Sequence, residues 1–178
     1  GCAVGLSGKD AQLISAQPLK RTVKDTDSQI EKVLDLGFVG DPTRINPTVL
    51  NKFAEADIIP VIAPIGLGEE GQTYNINADT AAGAIASSLG AAKLIMMTDI
   101  EGLMNGSGKL VPRVTAVEAD TMLKDGTISG GMIPKVETCI SAIMGDTEAA
   151  HILDGRVPHV LLLEIFTEHG VGTMIKAT

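Results

Sequence analysis

The sequence predicts an α/β fold with a mainly parallel sheet, on three observations. Residues 58–65 (IIPVIAPI) form a continuous apolar run, which fits a strand covered on both faces. Residues 93–99 (KLIMMTD) form another buried strand and end on a polar pair, Thr98-Asp99. Helical segments with start and stop signals alternate with such runs along the chain.

The elements follow in order. Residues 1–8 (GCAVGLSG) open without an initiator Met, already in strand-like alternation, so part of a longer polypeptide is expected. Residues 11–16 read as a short strand ending near Pro18, and residues 20–31 as a charged, polar connection. In residues 35–41 (DLGFVGD), two glycines flank an apolar pair, the mark of a turn or strand edge. Asn46-Pro47 supplies a cap and a first-turn proline for a helix whose Val49, Leu50, Phe53 and Ala54 share one face. After the apolar run, residues 66–74 read as a polar glycine loop.

Asn77 is then the expected cap of a helix over residues 78–89, with Asp79 in its first turn and Gly90 as its stop. Residues 100–109 are turn-rich, and residues 109–114 suit a small hairpin arm weakened by Pro112. Thr115 and Glu118 form a T-x-x-E capping box for a helix reaching Lys124, stopped by Gly126. A Gly130-Gly131 loop feeds the next helix, in which Ile133, Val136, Ile140, Ile143 and Met144 share a face and Pro134 occupies the first turn. Residues 150–153 suit a short strand, 157–166 an apolar helix and 171–175 a final strand. No repeat or linker is visible, so a lobe boundary belongs near the helix that starts at Ala78.

Composition excludes several function classes. At 178 residues, 44% hydrophobic and 20% charged, the chain can bury a real core, as one large domain or two small lobes. It lacks an apolar run of about 18 residues and a charged segment leading into an apolar one, so neither a membrane span nor a signal peptide is expected. A net charge of −8 without a basic cluster, and 2% aromatic residues, argue against nucleic-acid binding. Cys2 and Cys139 have no disulfide or metal spacing, so no protein-held metal is expected and a reducing, cytoplasmic setting is.

Two apparent nucleotide motifs fail on spacing or charge. Residues 5–10 (GLSGKD) separate their glycines by two residues where a Walker A loop needs four. Residues 66–71 match G-x-G-x-x-G, yet Glu69 and Glu70 would oppose a pyrophosphate. The Gly130-Gly131 loop is better placed. Glycines ahead of a helix let backbone N–H groups approach an anion, and Lys135, one turn in, can reach back toward a phosphate. Read alone, the pair is equally a tight turn and Lys135 equally a surface lysine. Asp99 at a strand end, with Asn75, Asn77 and Asp79 at a helix start, favours phosphoryl transfer. His151, His159 and His169 have no metal-type spacing and read as structural or surface residues. Catalysis without a histidine base suits a carboxylate acceptor, which is already ionised at neutral pH with a pKa near ~4.

Three motifs, Asn75-Ile76-Asn77-Ala78-Asp79, Thr98-Asp99-Ile100-Glu101-Gly102, and residues 125–135 (DGTISGGMIPK), closely resemble the carboxyl-terminal two-thirds of the acetylglutamate kinases, members of the amino-acid kinase family. The resemblance implies a carbamate-kinase-like three-layer αβα sandwich with the amino-terminal part missing. Residues 1–87 would be the remnant of the acetylglutamate-binding lobe and 88–178 the nucleotide-binding lobe. It implies phosphorylation of N-acetyl-L-glutamate by ATP with Mg²⁺, a step of arginine biosynthesis. By this resemblance Asn75 and Asn77 bind the acid, Lys135 stabilises the transferring phosphoryl group and Asp79 organises catalytic lysines. Asp99, Ile100, Glu101, Gly102, Leu103 and Met104, with Thr127, Ile128, Ser129, Gly130 and Gly131, would line the nucleotide site.

The family's glycine-rich amino-terminal segment, which carries a second catalytic lysine, has no counterpart in these residues, so nucleotide binding with little turnover is expected of them. Residues 158–175 resemble the tail of arginine-inhibited members, which are hexamers. That implies a homo-oligomer and L-arginine as inhibitor, with Lys93, Glu164 and Gly170 as effector contacts, a carboxylate being the natural partner of a guanidinium. The alternatives are a kinase for another acid (acetylaminoadipate, aspartate or glutamate) and a non-catalytic nucleotide- or arginine-binding module.

Overall fold

A computed structural model describes residues 1–24, 31–167 and 170–178. The chain divides into two compact units, Gly1–Ala81 and Ala82–Thr178, the division falling within one helix. Five of the eight strand pairings among the described residues are parallel, so the sheets are mostly parallel, as expected.

In the first unit, β1 (Cys2–Ser7) pairs in parallel with β4 (Ile58–Ala63), and α1 (Thr48–Glu55) packs against β4. The expectation that the apolar run is covered on both faces fails. Its residues alternate, with Ile59 and Val61 about 60% exposed, because β4 pairs with β1 in a two-stranded sheet that leaves one face open. The run also ends early. Pro64 separates β4 from β5 (Ile65–Leu67), which joins another sheet.

That other sheet is a closed four-stranded barrel of β2 (Ile14–Lys24), β3 (Glu31–Ile45), β6 (Thr73–Ile76) and β5. It corrects two expectations. The polar stretch from Lys20 is strand as far as Lys24, zipped antiparallel to β3, while residues 25–30 of the expected connection lie outside the described residues. The supposed glycine loop before Tyr74 is an antiparallel pair, β5 with β6, turning at Gly68–Gln72. Both misreadings share a cause: pairing partners far apart in sequence satisfy the backbone, so neither strand needs an apolar pattern of its own.

The Gly37 region is a bulge inside β3 and not a chain turn. The ladder shifts register between Pro18 and Lys20, where proline offers no N–H, and Gly37 takes a positive φ of 65° while donating to Asp35 Oδ1 at 2.8 Å. The strand expected over residues 11–16 begins only at Ile14. Ahead of it Asp10 Oδ2 accepts from Ser7 N and Oγ, which folds the chain into a short 3₁₀ turn. Leu13, Ile14 and Ile76 are almost completely buried in this unit.

Helix α2 (Ala78–Leu89) starts where Asn77 predicts. Asn77 Oδ1 accepts from Asp79 N at 2.9 Å and Thr80 N at 3.2 Å, and Gly90 ends the helix at φ 55°. In the second unit a four-stranded sheet runs β7 (Leu94–Thr98), β9 (Ala149–Asp154), β10 (Thr173–Lys176), β8 (Arg113–Thr115). β9 lies parallel to β7 and antiparallel to β10, and all six of its residues are buried. The small hairpin falls earlier than expected, with Met104 bridging Leu110 around a turn tied by Asn105 Oδ1.

Helix α3 (Ala116–Lys124) carries the complete capping box. Helix α4 (Met132–Met144) buries Val136, Cys139, Ala142 and Ile143 against β7, β9 and β10. The expected face is thus rotated: Met144 is 76% exposed and Ile133 is exposed too, while the small residues Cys139 and Ala142 face the sheet. The last helix, α5 (Val160–Phe166), starts three residues later than expected, after His159 at a positive φ of 60°.

Candidate functional site

The carboxyl end of β7 opens into a cavity of about 570 Å³. One wall is the segment leaving that strand: Thr98, Asp99, Ile100, Gly102, Leu103 and Met104. The other is the loop into α4: Thr127, Ile128, Ser129, Gly131, Met132 and Lys135. The two motifs carrying the expected nucleotide residues therefore meet in one cleft within one unit. Glu101 and Gly130 belong to the same loops without lining the cavity.

Both walls are held from beneath. Leu103 is 2% exposed, and its N–H donates to Thr173 Oγ1 at 2.8 Å, while the Thr173 hydroxyl donates to Val111 O at 2.7 Å. Gly102 has φ 147°, and a Cβ there would lie 2.6 Å from Thr173 Oγ1, so glycine is required for this approach. Across the cleft Ile128 is buried and its N–H reaches Met122 O at 2.9 Å. Asp125 caps the turn by accepting from Thr127, whose hydrogen bonds hold the carboxyl below the usual aspartate range.

Gly130 sits at φ 61°, and α4 begins at Met132 without a side-chain cap. Met132 N and Ile133 N close this start onto Ser129 O and Gly130 O at 3.4 and 3.3 Å, so what the loop presents beside the cleft is glycine backbone, the positive end of the helix dipole and half-buried Lys135 one turn in. The cleft thus combines an apolar floor of Leu103 and Ile128 with a polar rim and a lysine, a set suited to a flat ring bearing an anionic tail.

Asn75, Asn77 and Asp79 belong to the first unit. Asn75 stands exposed on β6, Asn77 caps α2 through its Oδ1 and Asp79 lies in the first turn of that helix. A separate cavity of about 790 Å³ in that unit is lined by Gln17, Arg44, Gln72 and Tyr74 among others, not by these residues. Among the described residues no three His, Cys, Asp or Glu side chains gather as a metal site.

Lys93, Glu164 and Gly170 line one cavity of about 420 Å³ in the second unit. His151, missed as a site residue, lines it too. Its Nδ1 donates to Glu164 Oε1 at 2.6 Å, Glu164 Oε2 accepts from Val171 N at 2.8 Å, and His151 Nε2 is buried without a partner among the described residues. Burial pushes the imidazole pKa down, against the pull of Glu164, and Lys93 adds to the depression. His151 is thus a neutral, structural histidine, as expected of its type, at a place the sequence did not mark. His159 is exposed, and His169 lies outside the described residues.

The chain has relatives among known proteins. It is 59% identical over 175 residues to an acetylglutamate kinase of Rhodospirillum centenum, a match covering 98% of this chain and 57% of that protein. It is 58% identical over 178 residues to the acetylglutamate kinase of Rhodospirillum rubrum, covering 100% of this chain and 57% of the relative. The chain therefore spans a little over half the length of these curated relatives.

Among solved structures, N-acetylglutamate synthase from Neisseria gonorrhoeae, complexed with coenzyme A and L-arginine, superposes with a TM-score of 0.81 at 26% identity, over 99% of this chain and 38% of that one. Carbamate kinase from Giardia lamblia bound to AMP-PNP superposes at 0.63 with 18% identity, over 88% and 52%, which speaks to the fold alone. The amino acid kinase family model matches residues 2–154. With the parallel-stranded α/β units and the cleft at the end of β7, these matches establish that the chain belongs to the amino acid kinase family.

Proposed function

We propose that this protein uses ATP to phosphorylate the γ-carboxylate of N-acetyl-L-glutamate, giving an acyl phosphate. The observation that carries the reading is the meeting of residues 98–104 with residues 127–135 in one cleft of about 570 Å³. It is supported by relatives named acetylglutamate kinase at 54–59% identity. In this reading Asp99, Ile100, Gly102, Leu103 and Met104, with Thr127, Ile128 and Ser129, hold the nucleoside end. Gly130, Gly131 and the positive dipole end of α4 face the phosphates, and Lys135 offsets the charge on the transferring group. Asp79 orients lysines, Asn75 and Asn77 contact the acid, and Glu101 borders the nucleotide loop. The first unit serves the acid and the second the nucleotide. Mg²⁺ arrives with the phosphates and neutralises part of their charge.

The acceptor carboxylate is ionised at neutral pH, so the task is positioning and charge stabilisation, not deprotonation. A coupled ADP-release assay with acetylglutamate, ATP and Mg²⁺ tests this. Lys135→Ala should cost on the order of 100-fold or more, since each ~1.4 kcal/mol of lost stabilisation is tenfold in rate. Undiminished turnover in that variant would remove Lys135 from the mechanism. Faster turnover with acetylaminoadipate, aspartate or glutamate would reassign the substrate. Nucleotide binding without turnover would favour a non-catalytic module.

L-Arginine is the proposed inhibitor, held in the cavity of Lys93, Glu164 and Gly170. Each Glu164 oxygen has a second lone pair beyond the bonds to His151 and Val171, so it can still accept from a guanidinium. Apolar side chains left exposed on α5, Leu162, Ile165 and Phe166, support a homo-oligomer. No helix among the described residues is long and apolar enough to cross a membrane.

A further inference from the structure

Beside the cleft, at the carboxyl ends of β7 and β9, stands a charged group that the nucleotide reading has not used. Asp154, the last residue of β9, is 6% exposed and lies in register with Thr98, the last residue of β7. Its two oxygens grip Arg156. Oδ1 accepts from the Arg156 backbone N and from Nε, both at 2.9 Å, and Oδ2 accepts from Nη2 at 2.8 Å. Between them, Gly155 N donates to Thr98 O at 2.8 Å, stitching this turn to the strand that launches the cleft wall. A buried carboxylate with a three-point hold fixes where the guanidinium stands, although that side chain is itself 65% exposed.

The place matters because of what else is there. Asp99 and Glu101, on the segment that follows Thr98, are the other carboxylates acting on Arg156, after Asp154. The Gly155–Thr98 hydrogen bond sets Arg156 beside the start of that segment, so Asp99, which lines the cleft, and Glu101, which borders it, put negative charge next to a cavity that would admit a triphosphate. Left alone they would repel it.

We propose that Arg156, held by Asp154, is a specificity-determining residue whose positive charge offsets part of the negative field of Asp99 and Glu101 and so favours a polyanionic nucleotide in the cleft. The proposal rests on the nucleotide reading of the cleft. Arg156 does not line the cavity and contacts no reacting atom in this scheme; it acts through the field at the cleft mouth. Its removal should weaken ligands in proportion to their negative charge, which a merely structural role would not do.

Calorimetry on this protein with AMP-PNP and with adenosine separates the cases. Arg156→Gln should bind AMP-PNP roughly fivefold more weakly, the scale of one exposed charge interaction, and adenosine within about twofold of the unaltered protein. Raising the salt should narrow the gap. Arg156→Lys, which keeps the charge but loses the fork, should hold AMP-PNP within about twofold. Glu101→Gln added to Arg156→Gln should restore most of the lost affinity, a readout that remains if the single variant is poorly folded. Equal losses for both ligands, unchanged AMP-PNP binding in Arg156→Gln, or no recovery in the double variant each overturn the proposal. If the unaltered protein binds neither ligand, the nucleotide reading itself fails and this inference falls with it.

Discussion

His151 Nδ1 lies 2.6 Å from Glu164 Oε1, with both side chains more than nine-tenths buried. Desolvation outweighs the carboxylate's attraction, so the imidazole is neutral and its proton sits on Nδ1, where it is donated to Glu164. The folded-state pKa therefore lies below the free value of 6.5, and the unfolded chain binds the extra proton first. Stability from this group is complete above the free value and is lost as pH falls toward the folded one. Thermal melts should show Tm dropping as pH is lowered below 6.5, with the drop shallower in His151→Gln. Equal slopes in the two proteins would mean that His151 does not govern the acid limb.

Glu164 also sets the arginine prediction. L-Arginine at saturating concentration should raise Tm, since a ligand bound only by the folded state stabilises it by mass action. Glu164→Gln keeps the shape of the side chain and removes its charge. That variant should lose most of the shift, while a retained shift would place arginine elsewhere.

Thr173 carries the wall of the cleft. Its hydroxyl satisfies Leu103 N and Val111 O at a position 1% exposed. Thr173→Val is nearly isosteric but strands both backbone groups, at a cost of roughly 1–3 kcal/mol for each group left unsatisfied. Chemical denaturation should register that loss. Thr173→Ser, which keeps the hydroxyl, should recover most of it. A neutral Thr173→Val would show that water replaces the hydroxyl.

The capping box at the start of α3 gives a cleaner local test. Thr115 Oγ1 accepts from Glu118 N at 3.1 Å, and Glu118 Oε2 accepts from Thr115 N at 2.8 Å. Thr115→Ala should destabilise by about 1 kcal/mol, the usual worth of an N-cap hydroxyl. No loss in a denaturant titration would mean that the helix start is fixed by packing of Ala116 and Ala119 instead.

That box and the Asn77 cap were legible in the sequence because caps are local: donor, acceptor and spacing lie within four residues. The loops of the cleft were legible through their motifs for the same reason. What the sequence hid is what depends on distant partners. Strand β5 looked like a glycine loop because its ladder is supplied by Tyr74 and Asn75, and its other edge meets Ser15 in β2. The polar residues from Lys20 onward gave no sign of a strand, since β3 supplies their pairing. His151 and Arg156 were passed over or left unread because neither has a partner at motif spacing that signals a site. One finds Glu164 on the next helix, and the other acts on a loop more than fifty residues earlier in the chain. The exposed faces of Ile59 and Val61 were unreadable for another reason: an apolar run tells of burial only once the number of neighbouring strands is known.

In the proposed function, the cleft between residues 98–104 and 127–135 holds the nucleotide. Hydrogen–deuterium exchange with and without AMP-PNP and Mg²⁺ addresses it directly. Exchange should slow in those two segments and at the start of α4, with residues 170–175 unchanged. Protection confined to the arginine cavity or to the first unit, with the cleft segments exchanging as before, would contradict it.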